Sequence, residues 1–253
     1  MKVFLMDTHA HMADEAFDDD IDEVLMRAKE AGVSSILSVS ERLSDAEKTL
    51  KLSIRHSMVL PAAGLSPNHA NLKEAEALVY FIRRERQRLL GIGEVGLDYW
   101  VARTEEERAL QRDIFQMFIE LALEVDLPLN VHSRAAGRDV IEFLIRHGAS
   151  RVQLHAFDGK AKNALPGVEA GFFFSIPPSV VRSPQKQKLL KSIPLGLLLL
   201  ESDSPVLGPI REERNEPANV LVVVDEIARI KDISKEEVLE AISQNARKLY
   251  FKQ

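Results

Sequence analysis

The sequence contains no cysteine among its 253 residues, which excludes disulfide bonds and thiolate metal sites. A metal ion would therefore have to be held by histidine, aspartate or glutamate. Long apolar runs are also missing, because the run around LGLLLL is far shorter than a membrane-spanning segment. The opening residues, MKVFLMD, hold too few apolar residues for a signal-peptide core, and we therefore expect a cytoplasmic protein without membrane contact.

An excess of positive charge is lacking as well, since the formal net charge is −6. A protein that coats nucleic acid non-specifically needs a basic surface, so this class is excluded. A local phosphate site stays open if metal ions supply the positive charge. The composition, with 45% hydrophobic and 28% charged residues, is typical of a globular protein with a large core.

Eight short apolar runs alternate with helical patterns along the chain. The runs are nearly continuous, as expected for parallel strands that are covered on both faces. The predicted strands are Val3–Met6, Ser35–Val39, Val59–Ala63, Leu89–Gly93, Leu127–Val131, Arg151–Leu154, Gly171–Ser175 and Leu197–Leu200. The alternation predicts an α/β protein in which residues 1–253 form one (β/α)8 TIM barrel, with a doubly wound open sheet as the alternative.

The stretch GIGEVGLDYW contains G-x-G-x-x-G, the pattern of dinucleotide-binding loops. Such a loop needs a helix that begins at the glycines, whereas the next good N-cap, Thr104, lies eight residues after Gly96. We therefore interpret the glycines as space around Glu94, a carboxylate that needs a cation or hydrogen-bond donors if it is buried. Asp98 is predicted to stabilise the loop or to support a metal ligand.

Histidines and carboxylates follow several of the predicted strands, at the end where a barrel carries its functional groups. Two of them form an H-x-H pair whose members point to the same side of an extended chain, and such a pair either shares a cation or forms a hydrogen-bonded couple. A single histidine at a strand end is more often a core residue, but several on neighbouring strands favour a metal site. The candidates are His9, His11, Glu94, His132, His155, Glu201 and Asp203.

Five motifs in this order, DTHAH, GEVGLDYW, LPLNVHSR, LHAF and ESDSP, resemble those of the TatD family of metal-dependent hydrolases. These proteins are also called TatD-related deoxyribonucleases and belong to the amidohydrolase-like superfamily. The likeness covers nearly the whole chain, including the closing NARKLY. It implies a (β/α)8 barrel and a water activated by one to three divalent ions, most often a pair.

Carried over by position, the resemblance implies a role for each candidate except Glu201. One ion would be held by His9, His11 and Asp203, the second by His132 and His155, and Glu94 would bridge them. Asp203 would also orient or deprotonate the attacking water, so Asp203 and Glu94 are the predicted catalytic residues. Mixed imidazole and carboxylate ligands fit Mg, Mn or Zn, and we expect one or two such ions.

One motif departs from the family. Where its nucleases carry G-x-H-P-H after the third strand, this chain reads GLSPN, with Ser66 and Asn68 in place of two histidines. A hydroxyl and an amide donate hydrogen bonds but, unlike an imidazole, neither gain nor lose a proton near neutral pH. The metal ligands are unaffected by this change, whereas the identity of the substrate is left open.

Ser66 and Asn68 are candidates for contact with the substrate or its phosphate, and so are three further residues. Arg134, two residues after His132, is either a bidentate phosphate clamp or a partner in a salt bridge at the rim. Tyr99 and Trp100 either stack on a base or cover the mouth of the barrel.

Three functions remain. The first is a deoxyribonuclease-like phosphodiesterase that acts on DNA or another phosphoester substrate. The second is a hydrolase of a non-nucleic-acid ester, lactone, amide or small phosphoester on the same barrel. The third is a metal-stabilised partner in a larger assembly without catalytic activity. We expect a monomer or a small homo-oligomer.

Overall fold

In a computed structural model that describes residues 4–251, eight parallel strands lie side by side in chain order. The strands are β1 Leu5–Ala10, β2 Val33–Ser38, β3 Val59–Ala63, β4 Gly91–Gly96, β5 Leu129–His132, β6 Val152–Leu154, β7 Phe173–Ile176 and β8 Leu198–Leu200. The hydroxyl of Thr8 donates to the carbonyl of Leu200 at 2.7 Å, which places β8 beside β1. The sheet thus nearly closes on itself, which confirms the predicted barrel and excludes the open doubly wound sheet.

Helices follow the strands and cover the outside of the barrel. They are α1 Ile21–Glu30, α2 Leu43–Arg55, α3 Leu72–Glu85, α4 Glu105–Val125, α5 Gly137–Arg146, α6 Ala161–Glu169, α7 Pro184–Ser192, α8 Val220–Lys231 and α9 Lys235–Tyr250. The predicted capping boxes open α4 at Thr104 and α9 at Ser234, where each hydroxyl accepts from the backbone N–H three residues later. Within residues 4–251, no helix is both long and apolar enough to cross a membrane.

Two strands continue at least three residues further than the apolar pattern predicts. The prediction for β1 ended at Met6, and its first residue, Val3, lies outside the described residues. The strand reaches Ala10, and β4 reaches Gly96 rather than Gly93. Both extensions contain polar residues, but they pair with the neighbouring parallel strands. Ala10 of β1 lies opposite Ser38, and Gly96 of β4 lies opposite His132. His9 and Glu94 therefore lie inside strands and not in the loops after them.

The barrel interior is layered along the strand direction. Apolar side chains, among them Met6, Leu37 and Leu199, fill the amino end, and Tyr250 of α9 packs against them. Further along the strands, Asn130 and Gln153 are buried and both donate to the carbonyl of Thr8. Residues two positions later on the same strands reach the carboxyl end, because alternate side chains of a strand point to the same face.

Candidate metal centre

A first set of donor atoms converges where β1 meets the segment after β8. The Nε2 atoms of His9 and His11 lie 3.2 Å apart, and each lies 3.4 Å from Oδ1 of Asp203. His9 and Asp203 are buried, and His11 borders the cavity above them. The two imidazoles therefore point to the same side, as the H-x-H spacing predicts, and they share that side with a carboxylate.

A second set lies beside the first, on β5 and just after β6. Nδ1 of His132 lies 3.1 Å from Nε2 of His155 and 3.2 Å from Oε1 of Glu94. The other oxygen of Glu94 lies 3.5 Å from Nε2 of both His9 and His11. Glu94 thus lies between the two sets, so the structure brings all the predicted ligands into one cluster.

The chemistry of this cluster fits divalent metal ions. One ligand atom from each of His9, His11 and Asp203 lies within 4.8 Å of the others, and the same holds for His9, Glu94 and His155. Imidazole nitrogen and carboxylate oxygen are the donors that Zn and neighbouring transition metals use in the absence of thiolates. Glu41 forms a further group of this kind with His11 and Glu94, and nothing in the sequence pattern pointed to it.

The pKa values show how strongly these groups act on one another without an ion. Burial alone would lower the pKa of His9, but the carboxylates of Asp203 and Glu94 outweigh it and hold that pKa well above the ordinary value. Burial would also lower the pKa of His132, but the carboxylates of Glu94 and Asp98 outweigh it and raise that pKa to about 10. Burial would raise the pKa of Glu94, yet His132 and its neighbours hold it well below the usual range. The cluster thus favours carboxylates that face positive charge, and a metal ion would replace the protons on the histidines.

His155 differs from the other histidines of the cluster. Burial and the positive charge of His9 hold its pKa well below the ordinary value, so its imidazole is neutral and able to ligate a cation. The rings of His9 and His155 are stacked, with centroids 3.8 Å apart. Nδ1 of His155 is buried and has no hydrogen-bond partner among residues 4–251, while Oε2 of Glu201 lies 3.8 Å away. Glu201 also accepts from the backbone N–H of Ala156 and so fixes the turn that follows β6.

Neighbouring polar side chains orient the ligands. Nδ1 of His9 lies 2.7 Å from Oδ1 of Asn130, whose amide group also donates to the carbonyl of Thr8, so Nδ1 carries the proton and Nε2 faces the cluster. Asn130 was missed in the sequence, where its only signal is a polar residue inside the apolar run LPLNVHSR.

Two residues on the loops after β3 and β4 also contact the candidate ligands: Ser66, a candidate for substrate contact, and Asp98, which was predicted to support a ligand or to stabilise its loop. Oδ2 of Asp98 lies 3.1 Å from Nε2 of His132, and Oδ1 accepts from the backbone N–H groups of Trp100 and Val101. Asp98 therefore both supports a ligand and stabilises the loop, which are the two roles that the sequence left open. The hydroxyl of Ser66 donates to Oε1 of Glu94 at 3.0 Å.

The glycines of GIGEVG make room at a crowded strand end. A Cβ atom on Gly93 would lie 2.6 Å from Cβ of Asn130, and one on Gly96 would lie 2.2 Å from the carbonyl oxygen of His132. Gly96 also has a φ of +142°, which side chains other than glycine rarely tolerate. These glycines thus allow β4 to approach β5 closely enough for Glu94 to reach His132.

The cluster lies at the bottom of a cavity of about 530 Å³, a volume typical of small-ligand sites. Asn68, Arg134 and Lys186 line it together with the metal-ligand candidates. Tyr99 and Trp100 are not among the described residues that line it. Trp100 is 56% exposed with the Arg134 guanidinium 5.1 Å from its ring, and Tyr99 packs partly against the core. Lys186 was missed because no local pattern distinguishes it from the other lysines of α7.

Comparisons with known proteins identify the family of this chain. The model of the family "TatD related DNase" matches residues 6–251. Human "Deoxyribonuclease TATDN3" is 45% identical over 99% of this chain and 96% of its own length. "Uncharacterized metal-dependent hydrolase YabD" of Bacillus subtilis is 32% identical over 97% of this chain and 98% of its own.

Solved structures show the same fold. The crystal structure of YJJV, a TatD homologue from Escherichia coli K12, superposes with a TM-score of 0.90 at 24% identity and covers 100% of both chains. A TatD family hydrolase from Entamoeba histolytica gives the same TM-score at 22% identity, again over 100% of both chains. Together with the family match, these findings confirm the resemblance that the motifs indicated and the assignment to hydrolases. The chain belongs to the TatD-related DNase family.

Proposed function

We propose that the protein is a divalent-metal-dependent phosphodiesterase that cleaves DNA. The observation that carries this proposal is the convergence of two donor sets on Glu94 at the carboxyl end of the barrel. His9, His11 and Asp203 would hold one ion, and His132 and His155 the other, with Glu94 between them. The relative named as a deoxyribonuclease supports DNA as the substrate.

Divalent ions at these ligands would lower the pKa of a water molecule and stabilise charge on the phosphoryl oxygens. Asp203 is the group that takes the proton of the attacking water. Burial alone would raise the pKa of Asp203, but its contacts with His11 and His9 hold that pKa well below the ordinary value, so the side chain is a carboxylate at neutral pH. Arg134 lies exposed at the rim of the cavity, where its guanidinium can clamp a phosphate of the bound strand.

The test is cleavage of end-labelled single-stranded DNA by purified protein supplied with Mg²⁺, Mn²⁺ or Zn²⁺. We expect cleavage with at least one of these ions, none after chelation, and a loss of about a hundredfold or more in Asp203→Asn. Glu169→Gln, an exposed carboxyl on α6, is the matched control and keeps the wild-type rate. The proposal is wrong if the wild type leaves DNA intact with every ion, or if Asp203→Asn cleaves as fast as the wild type.

A second candidate keeps the barrel and its ions but changes the bond that is cleaved to that of an ester, lactone, amide or small phosphoester. It is favoured by the loop after β3, where the Ser66 hydroxyl is used to hold Glu94 and Asn68 is exposed. Neither side chain gains or loses a proton near neutral pH, so Ser66 and Asn68 supply no acid for a leaving nucleotide. A substrate panel on Mn- and Zn-loaded protein separates the candidates, since activity confined to phosphodiesters excludes this one.

A further inference from the structure

Two cationic side chains line the cavity in addition to the histidines, and they differ in their surroundings. Arg134 lies at the rim and its guanidinium packs over Trp100. Lys186, near the start of α7, is half-buried, and Nζ donates to the carbonyl of Ala156 at 3.3 Å. An ammonium group has three donors, and no carboxylate oxygen of the described chain lies within 4.0 Å of this one.

The environment of Lys186 is unfavourable for a charge without a counter-ion. Burial lowers the pKa of Lys186, and the carboxylates of Glu201, Asp203 and Asp158 oppose this only through their electric field. A lysine stem is long enough to carry its ammonium into water, yet here it points to the turn after β6. The hydrogen bond to the carbonyl of Ala156 does not require a positive charge on Lys186, whereas an anion in the cavity would pair with that charge.

The structure holds α7 against this wall of the cavity. The Ser183 hydroxyl caps the helix by accepting from the backbone N–H of Lys186. The amide group of Gln185 donates to Asp158 and to the carbonyl of Gly159 in the turn after β6. Lys186 is therefore carried on a segment that is anchored on both sides, and its position is set before a ligand binds.

A second side chain on the same wall lacks a partner. Ser133, on the loop after β5, lines the cavity and is 2% exposed. Its hydroxyl is buried without a hydrogen-bond partner within residues 4–251. On the opposite wall, the loops after β2 and β8 contribute Glu41, Val206 and Leu207, which offer an anion no donor side chain. The buried or half-buried donors that line the cavity without a full set of partners, Lys186 and Ser133, thus lie on the side of β5, β6 and β7. The Asp158 carboxylate lines the cavity there as well, and the exposed amide of Asn68 is the donor on the loop after β3.

We propose that Lys186, assisted by Ser133, forms a subsite for a second phosphate group, next to the phosphate that is bound at the metal cluster. This inference rests on the proposed function, and it names the substrate class more narrowly. The site would select strands or nucleotides with two neighbouring phosphates over molecules that contain one phosphate. Lys186 is a specificity-determining residue in this scheme, since it contacts a phosphate that does not react.

The test measures binding and not turnover. Isothermal titration calorimetry on Mn²⁺-loaded protein compares thymidine 3′,5′-bisphosphate with thymidine 5′-monophosphate. We expect the wild type to bind the bisphosphate at least about tenfold more tightly, because one charge-assisted contact is of that order. Lys186→Met should reduce the ratio of the two affinities to about one, and Lys186→Arg should retain part of it. Lys188→Met, an exposed lysine on the same helix, is the matched control and keeps the wild-type ratio.

Two results would overturn the proposal: a wild type that does not distinguish the two nucleotides, or a Lys186→Met variant that keeps the full ratio. If circular dichroism shows that Lys186→Met is unfolded, Ser133→Ala and Lys186→Arg decide, and unchanged ratios in both exclude the subsite. Failure of the proposed function gives a different result from failure of the subsite. A protein that prefers the bisphosphate through Lys186 but leaves DNA intact has the subsite and another substrate.

Discussion

At its amino end the barrel interior is filled by Met6, Leu37 and Leu199, whereas at its carboxyl end it holds His9, Glu94 and Asp203. Both ends are buried, but they contribute to the protein in opposite ways. Burial of apolar groups stabilises the fold by about 25 cal/mol per Å² removed from water. Burial of charged groups costs free energy that their mutual attraction only partly returns.

The comparison shows that the carboxyl end of the barrel lowers the stability of the fold, whereas the amino end raises it. The histidines and carboxylates at one end form a cluster that fits cations, and burial of the apolar end offsets the free-energy cost of burying them. Asn130, Gln153 and Ser175 form a polar layer between the two ends. The Tyr250 hydroxyl, on the apolar side, donates to Gln153 and accepts from Asn130, and Gln153 donates to Ser175. Hydrogen bonds through this layer thus connect the two ends. Substitutions at the two ends should therefore separate stability from activity.

The largest effect is expected for Glu94→Gln. Loss of the shared carboxylate should lower kcat/KM for a cleavable DNA substrate by about 10³-fold or more, equivalent to about 4 kcal/mol, and should reduce the metal content measured by plasma mass spectrometry. The free energy of unfolding of the metal-free protein should change by no more than about 1 kcal/mol, because the lost ion pairs and the removed burial cost oppose each other. A variant that keeps both metal and activity would show that the centre lies elsewhere.

A pH effect of up to about 4 kcal/mol is expected at the seam between β1 and β8. Asp7 is fully buried there and accepts from the backbone N–H and the hydroxyl of Ser202. Burial raises the pKa of Asp7 from 3.8 to about 7, so the folded state holds a proton that the unfolded state has released. The contribution of Asp7 to the stability of the metal-free protein should be fully present below about pH 4 and should be lost as the pH rises to about 7.

Urea denaturation of wild type and Asp7→Asn across this range measures the effect. The variant lacks the titrating group, so its stability relative to the wild type should rise with pH. A constant difference between the two proteins from pH 4 to pH 8 would mean that Asp7 is already ionised in the folded state.

At the apolar end, Leu199→Ala should lower the free energy of unfolding by about 3 kcal/mol, through lost burial and the cavity that is left. Leu199 is fully buried, whereas Leu123 on α4 is 52% exposed, so Leu123→Ala is the matched control with a change within about 0.5 kcal/mol. Chemical denaturation gives both values. Metal content should be the same as in the wild type, and loss of metal in Leu199→Ala would refute the separation of the two ends.

The smallest effect is expected for Ser66→Ala, which removes one hydrogen bond to Glu94. We expect a fall in kcat/KM of about five- to tenfold, equivalent to about 1 kcal/mol, with the metal content retained. Ser179→Ala is the control, because its buried hydroxyl has no hydrogen-bond partner in the described chain. Equal rates for Ser66→Ala and the wild type would show that Glu94 is held in place without this residue.

The sequence by itself determined the barrel and the list of candidate ligands, because in a parallel barrel every strand ends at the same rim. A histidine or carboxylate after an apolar run is therefore placed near the others by topology alone, and this applies to His132, His155 and Asp203. Strand ends were less predictable, since β1 and β4 continue into polar residues whose burial depends on the neighbouring strands.

Only the tertiary structure decided which side chains contact the candidate ligands and which line the cavity. Asn130, Ser66 and Lys186 lie on three different segments, and their hydrogen bonds join residues 121, 28 and 30 positions apart. No local pattern of charge or hydrophobicity records such a contact. Tyr99 and Trp100 follow Glu94 in the sequence but do not line the cavity, and Trp100 packs against Arg134 at its rim. Hydrophobic periodicity thus determines the strands and their order, whereas packing between distant segments determines the chemistry at their ends.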